Sequence, residues 1–454
     1  MLDITLSPGR QVSSREPMNA KVLRWTSWQV ASILIIAIIA VSVRLFYVHT
    51  AVVDHPLRGD TVQYFAYALN LADHHIFSLA PAGQPVLPDG FRDPGYPAFL
   101  AVLVAIFGRE QTFYLATLNL QATLSAMTVV IYTLLTRRWL GQRAAIAVGL
   151  GLTFWPHTIT LAGYVLSETL MGFLVATGLW LTQYATERRH WALFASAGAC
   201  FALAALTNAT FAPIPLVFAA IALWRDPPTR RAWAIFLIAA ALPVALWTWR
   251  GASLPTGQSA GDRVVMNLVQ GSWPEYHDAW RASLQGDAGS AAIMEKIDSE
   301  YAIFHGNRLD GITAMASRMA AQPLRYAGWY LSKPVELWGW QIGIGMGDIY
   351  VFPTYNSPLS GKGFLRMTTD ALFFASPFVL MLAIAGLAVL LVKRRRYPPA
   401  LWLAATTAVV VTATFAVLQC DARYSTPYRG IEWVLAAVAI DALARAIRTR
   451  SKGR

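Results

Sequence analysis

The 454-residue sequence is short of charge, of cysteine and of every compact catalytic signature. Only 14% of its residues are charged, against about 25% in a soluble globular chain. That deficit excludes an ordinary soluble enzyme. With 56% of residues hydrophobic, disorder is excluded as well. The two cysteines, Cys200 and Cys420, lie within and at the end of apolar runs. They read as small buried side chains, and neither a disulfide framework nor a zinc site is in view. There is no P-loop, no GxGxxG after a strand, no HExxH and no GxSxG. Asp73, His74 and His75 stand together. Adjacent histidines on a helix point in different directions, so no metal site is expected there. Internal repeats and low-complexity tracts are also missing.

What is present is apolar and aromatic. Seventeen Trp and seventeen Tyr suit a protein with many water–lipid boundaries, where amphipathic rings settle. The class expected is an all-α polytopic membrane protein. The net charge of +12 is unevenly placed. Six short segments (1–25, 136–143, 185–190, 224–231, 393–398 and 445–454) hold 21 of the 37 Lys and Arg and only four acids, a net +17. Everything else sums to −5. Clustering between apolar runs is the positive-inside pattern, not a nucleic-acid footprint.

Ten spans are expected, at 28–47, 113–135, 144–163, 164–184, 191–207, 209–223, 232–249, 370–392, 400–419 and 431–447. With the N-terminus inside, every basic segment falls on the cytoplasmic side. The polar first 25 residues are not a cleavable signal, and Met18 is a possible start. The expected organisation is a cytoplasmic tail (1–27), a membrane core (28–249) with a first outer loop (48–112), and a second outer segment (250–369). C-terminal spans (370–447) and a basic tail (448–454) follow. Within the outer segments, Thr61–His74 reads as an amphipathic helix and Gly95–Phe107 as an interfacial one. Ala291–His305 and Ile312–Ala321 also read as helices, with Pro323 and Pro334 as breaks.

The candidates for chemistry gather on the outer side. Asp60 follows Arg58 and Gly59 about thirteen residues past a span end, with Tyr64 close behind. A carboxylate at headgroup level suits a general base. The same residue, with Gln63 three positions on, also matches a capping box, and the two readings are compatible. Arg92 precedes Asp93-Pro94, which reads as a helix cap and first-turn proline. Glu168 enters a span from outside, where an acid is costly; it is either functional or a helix-end residue beside Ser167. His157, after Pro156, faces the same side. Arg423, next to Tyr424, and Arg250 lie at outer span ends. Each reads as a phosphate clamp or as a headgroup-anchoring side chain. Lys333 offers a further cation near that surface, beside Trp338 and Trp340.

Taken in order, Asp60, Tyr64, Ala68-Leu69-Asn70, Phe77-Ser78, Arg92-x-Pro94-x-Tyr96-Pro97, Tyr164-x-x-Ser167-Glu168 and Arg423-Tyr424-x-x-Pro427 carry a resemblance. The chain resembles the polyprenyl-phosphate-sugar-dependent glycosyltransferases of the GT-C fold. The branch is that of protein O-mannosyltransferases and the lipid A aminoarabinose transferase. The resemblance implies inverting transfer of a sugar from a polyprenyl phosphate to a glycolipid, glycan or protein on the periplasmic face of a bacterial inner membrane. It implies Asp60 as the catalytic acid of the first loop, Glu168 as the acid after Ser, and Arg423 with Lys333 as cations near the donor phosphate. It implies that no nucleotide enters, so that no cofactor and no metal are required. The chain departs from the pattern at Gly59, where many relatives carry a second acid, and at Thr207-Asn208, where many carry Arg. The alternatives are a glycan polymerase or ligase using a lipid-diphosphate donor, and a transporter or flippase.

Overall fold

Apolar runs punctuated by proline, glycine and basic pairs dictate a helical molecule. The computed structural model describes residues 26–225, 229–254, 259–340, 354–393 and 396–452. The expected tail at 1–27 falls almost wholly outside the described residues, as do Met18, Arg394, Arg395 and the last two residues of the basic tail.

Helix α1 (Ser27–Thr50) leads to the segment expected as the first outer loop, which holds α2 (Asp60–His74) and α3 (Gly95–Phe107). Helices α4 (Gln111–Leu140), α5 (Gln142–Phe154), α6 (Pro156–Thr160), α7 (Glu168–Arg188), α8 (Trp191–Thr207), α9 (Pro213–Arg225) and α10 (Arg230–Ala252) follow. The segment expected as the second outer one holds α11 (Ala260–Gly271), α12 (Tyr276–Ser283), α13 (Ala288–Gly306), α14 (Arg308–Ala321) and α15 (Pro323–Trp338). The chain closes with α16 (Phe364–Val392), α17 (Pro399–Val417) and α18 (Arg429–Lys452). Among the described residues the only sheet is one antiparallel pair. It sets Val52 and Val53 opposite Tyr355 and Thr354, so the two outer segments are stitched together.

Among the described residues, five helices are long and apolar enough to cross a membrane: α1, α4, α10, α16 and α17. The protein is an integral membrane protein. The span expected at 144–163 is broken, with α5 and the following Pro156–Gly163 turn bent by 55°. Pro156 causes the break, because its ring forces Trp155 out of the helical region, to ψ 110°. The segments expected at 191–207 and 209–223 form shorter apolar helices. The ten expected spans are thus not ten uniform helices.

Small residues set the helix spacing in the bundle, as expected where lipid offers no hydrophobic drive for association. A Cβ on Gly386 of α16 would lie 1.9 Å from the Leu435 carbonyl oxygen of α18. One on Gly198 of α8 would lie 2.3 Å from the Phe236 carbonyl oxygen of α10. The freed carbonyls at the α5 break are met by Arg44, fully buried in α1. Its guanidinium donates to the carbonyls of Leu152 (3.1 Å) and Thr153 (3.2 Å), to Ser125 (2.7 Å) and to Thr158 (3.0 Å). Arg44 therefore fixes the geometry of the turn that leads to α7.

The second outer segment grips the end of α17. A Cβ on Gly271 would meet the Leu418 carbonyl carbon at 2.3 Å, and Gln419 donates its amide to Asn267 at 3.0 Å. Pro334 lies inside α15 and does not end it, correcting the expected break. Pro323 opens the same helix at its first turn, where a missing amide costs nothing.

Candidate active site

The first loop delivers Asp60 through an unusual backbone. Gly59, just before α2, has φ +52° and ψ −124°, a combination side chains rarely tolerate. A second acid would be strained there, which gives the departure at Gly59 a physical reason. Asp60 begins α2 but does not cap it. The expected capping box is absent, because the Gln63 amide oxygen accepts from Arg92 Nε at 2.5 Å. Both Asp60 oxygens are engaged elsewhere. Oδ1 accepts from Arg92 Nη2 at 2.5 Å and Oδ2 from Arg423 Nη2 at 3.0 Å.

Arg423 arrives from the far end of the sequence, on a 3₁₀ turn (Ala422–Tyr428) between α17 and α18. Asp421 starts this turn, its Oδ1 accepting the Arg423 amide at 2.8 Å. The Arg423 Nε also lies 3.0 Å from Glu168 Oε1. One guanidinium thus bridges two carboxylates that α2 and α7 supply. The Arg423 and Glu168 side chains are only 9% and 7% exposed, and Asp60 is 23% exposed. Glu168 Oε2 has no hydrogen-bond partner among the described residues. Behind it lies a cavity of about 30 Å³ lined by Arg44, Ser125, Tyr132, Glu168 and Thr426, enough room for one water.

Two aromatic rings frame the charges. Tyr64 packs edge-on to Tyr96 with centroids 5.1 Å apart, and the Arg92 guanidinium lies 5.3 Å from its ring. Tyr424 stacks on Phe415, and the Arg423 guanidinium lies 5.2 Å from the Tyr424 centroid. Burial pushes the Asp60 carboxyl up, but the charges of Arg92 and Arg423 and their hydrogen bonds outweigh it. The result is a carboxylate held well below the usual range.

Five of the expected residues therefore meet: Asp60, Tyr64, Arg92, Glu168 and Arg423, with Tyr424 beside them. The others lie elsewhere. Arg58 faces Asp54 at 3.9 Å and is half exposed. His157 is buried between Trp155 and Trp340, and neither ring nitrogen has a hydrogen-bond partner among the described residues. Arg250 donates to the Asp89 carbonyl at 2.8 Å and lies over Trp247. Lys333 donates to the Leu418 carbonyl at 2.9 Å, closing the C-terminal end of α17. Burial pushes its ammonium down to about 8.

Asp93 does not cap α3 as expected. Its Oδ2 accepts from the Ala209 amide at 3.0 Å and from Arg263 of α11 at 2.5 Å. It ties the first loop to both the bundle and the second outer segment. Sequence reasoning passed over Arg44 and the buried pair of Arg429 with Glu432 at 2.9 Å, and read Gln63 only as part of a cap. For Arg44 a signal existed, since a charge inside an apolar run has to find partners. No group of three or more metal-ligating side chains occurs among the described residues.

No family model and no curated protein matches the chain. Its fold is similar to that of the archaeal oligosaccharyltransferase AglB from Archaeoglobus fulgidus, solved with an inhibitory peptide and a dolichol-phosphate. The identity is 17% over 93% of this chain and 52% of that one, with a TM-score of 0.50. An oligosaccharyltransferase of Archaeoglobus fulgidus solved with zinc and sulfate gives 17% identity, 92% and 50% coverage and a TM-score of 0.51. ArnT from Cupriavidus metallidurans, bound to undecaprenyl phosphate, gives 16% identity, 93% and 79% coverage and a TM-score of 0.36. The chain spans about half the length of the oligosaccharyltransferase structures it matches. At this identity the likeness speaks for architecture alone, and it agrees with the resemblance seen in the sequence: the chain has a GT-C-type membrane fold.

Proposed function

We propose that the protein transfers a sugar from a polyprenyl-phosphate donor to an acceptor at the outer, periplasmic face of the membrane. The observation that carries this reading is the meeting of Asp60 from the first outer loop with Arg423 at the outer end of α17, 363 residues apart in sequence. A carboxylate and a guanidinium at one bundle mouth supply the two things the reaction needs. Asp60 takes the proton from an acceptor hydroxyl or amine. The acceptor's oxygen or nitrogen bonds to the anomeric carbon from the face opposite the phosphate, which inverts the configuration. The bond between that carbon and the phosphate oxygen breaks, and its electron pair leaves with the polyprenyl phosphate. Arg423 holds the phosphate through its planar fork of donors.

Arg92 and Gln63 orient Asp60 from within the first loop. Glu168 holds Arg423 from α7, acting as a positioning residue. Tyr424, only partly buried, offers an aromatic surface beside the charges, while the buried Tyr64 backs Arg92. The second outer segment, tied to Asp93 through Arg263 and to α17 through Lys333, is where the acceptor is met. Of the remaining sequence candidates, Arg58 and Arg250 serve the loop's outer surface, and His157 a separate aromatic nest. Donor chemistry of this kind brings no nucleotide, so neither a phosphate loop nor a metal ligand set is required. The test is direct: purified protein incubated with a radiolabelled polyprenyl-phosphate sugar and an envelope extract should move label from the lipid phosphate to a glycolipid, glycan or protein. Label that stays on the lipid with every acceptor fraction would end this reading.

A further inference from the structure

The two roles just assigned conflict in the geometry as it stands. Asp60 spends one oxygen on Arg92 and the other on Arg423, at 2.5 Å and 3.0 Å. A carboxylate neutralised by two guanidinium groups is a poor proton acceptor. The guanidinium that would hold a donor phosphate is already bonded to Asp60 through Nη2 and to Glu168 through Nε. Resting on the reading of a polyprenyl-phosphate donor, we propose that the donor phosphate takes Arg423 away from Asp60, so that Asp60 becomes a competent base only when the donor is in place.

Charge and anchoring favour this exchange. Among the described residues the two carboxylates of the cluster, Asp60 and Glu168, already engage its two guanidinium groups, Arg92 and Arg423, and Asp421 adds a further acid beside them. An incoming phosphate adds a negative charge to a site whose side chains are 7% to 23% exposed. An uncompensated charge there is costly, so the phosphate must share a guanidinium already present. Arg423 is the one placed to move. Arg92 is also held by Gln63, one turn along α2 from Asp60, so it travels with the carboxylate. Arg423 is held through Nε by Glu168, which leaves the guanidinium a pivot about which Nη2 can swing from Asp60 to a phosphate. Its turn follows the outer end of α17, at the level where a lipid phosphate arrives. The device keeps the base inactive without a donor and ties its activation to the correct lipid.

The groups facing Asp60 are Arg92, Arg423, Tyr64, Glu168 and Tyr424. Of these only the two arginines bond to its oxygens. Binding of undecaprenyl phosphate in detergent micelles tests the exchange without any transfer reaction. Asp60→Asn removes the competitor for Arg423, so it should bind undecaprenyl phosphate about tenfold tighter or more than wild type, the scale of one charge-assisted hydrogen bond. Asp54→Asn, which removes a half-buried carboxylate six residues earlier that pairs with Arg58, should bind as wild type does. In an Arg423→Gln background the gain from Asp60→Asn should vanish. Equal or weaker binding by folded Asp60→Asn, or a gain that survives Arg423→Gln, overturns the exchange while leaving the transfer reading intact. Failure of wild type to bind the probe saturably removes both. Should Asp60→Asn not fold, wild type alone decides through its pH profile. The acid limb of kcat, which reports the occupied site, should lie at higher pH than that of kcat/KM for the donor, which reports the empty one. Coincident limbs overturn the proposal.

Discussion

Replacing Arg423 by Gln removes the guanidinium that bridges Asp60 and Glu168, and the two carboxylates should respond differently. Asp60 keeps Arg92 and Gln63 close by. Glu168 is 7% exposed and loses its ion-pair partner at 3.0 Å, while its other oxygen already has no hydrogen-bond partner among the described residues. Breaking a buried pair by deleting one member costs about 3–5 kcal/mol, because a charge is left in a poor medium. Neutralising the orphan removes that penalty. Arg423→Gln should therefore be destabilised by about 3–5 kcal/mol, and the double variant Arg423→Gln/Glu168→Gln should regain more than half of the loss. Sugar transfer should stay impaired in both, because neither has a guanidinium for the phosphate. Unfolding in mixed micelles of mild detergent and SDS, followed by tryptophan fluorescence, gives the four corners of the cycle. A single variant as stable as wild type, or a double variant no better than the single, would refute the claim that the Arg423–Glu168 pair is buried and coupled.

Three further outcomes follow from the same geometry. Gly59→Ala forces a side chain into φ +52° and should cost about 1–3 kcal/mol in the same unfolding assay, with a fall in transfer as Asp60 is displaced; an unchanged melt would deny the strained turn. Because the folded value of Asp60 lies below its ordinary 3.8, its contribution to stability is fully present above that pH and is lost as pH falls through the folded value. The stability gap between wild type and Asp60→Asn should thus be steady from pH 5 to 7 and narrow on acidification below about pH 4, whereas a gap that does not depend on pH would contradict the ion pairs. Reporter fusions after Arg143, Glu187, Arg231 and Arg396 should read cytoplasmic, and those after Pro88, Gly261 and Ser357 external, with an external signal at Arg231 placing the segments on the wrong sides.

Much of the architecture was legible because it rests on local rules. The period of apolar residues announced α2 almost to the residue, since one face of an amphipathic helix must be buried wherever it packs. Gly95–Phe107 was legible as a short apolar run opening after Pro94. Proline was less reliable. Pro156 broke a span that hydropathy alone read as continuous, while Pro334 was absorbed inside α15. Capping signals misled at the places where chemistry competes for the same side chain. Gln63 was drawn to Arg92 and Asp93 to Arg263, so two sequence-level caps became tertiary ties. The pairing of Asp60 with Arg423 could not be read from spacing at all. It depends on how α17 is seated by Gly271 and Lys333, contacts that no local pattern encodes.

The proposal that Asp60 is the base rests most directly on one comparison: the rate of transfer from a purified polyprenyl-phosphate sugar by Asp60→Asn and by wild type, at equal amounts of folded protein. Asn nearly matches Asp in shape and cannot accept a proton. The expected loss is about 10²–10⁴-fold, the range of general-base catalysis, even though the donor's phosphate should bind the variant more tightly. A rate within about threefold of wild type falls well short of that range and would contradict the assignment of Asp60 as the base.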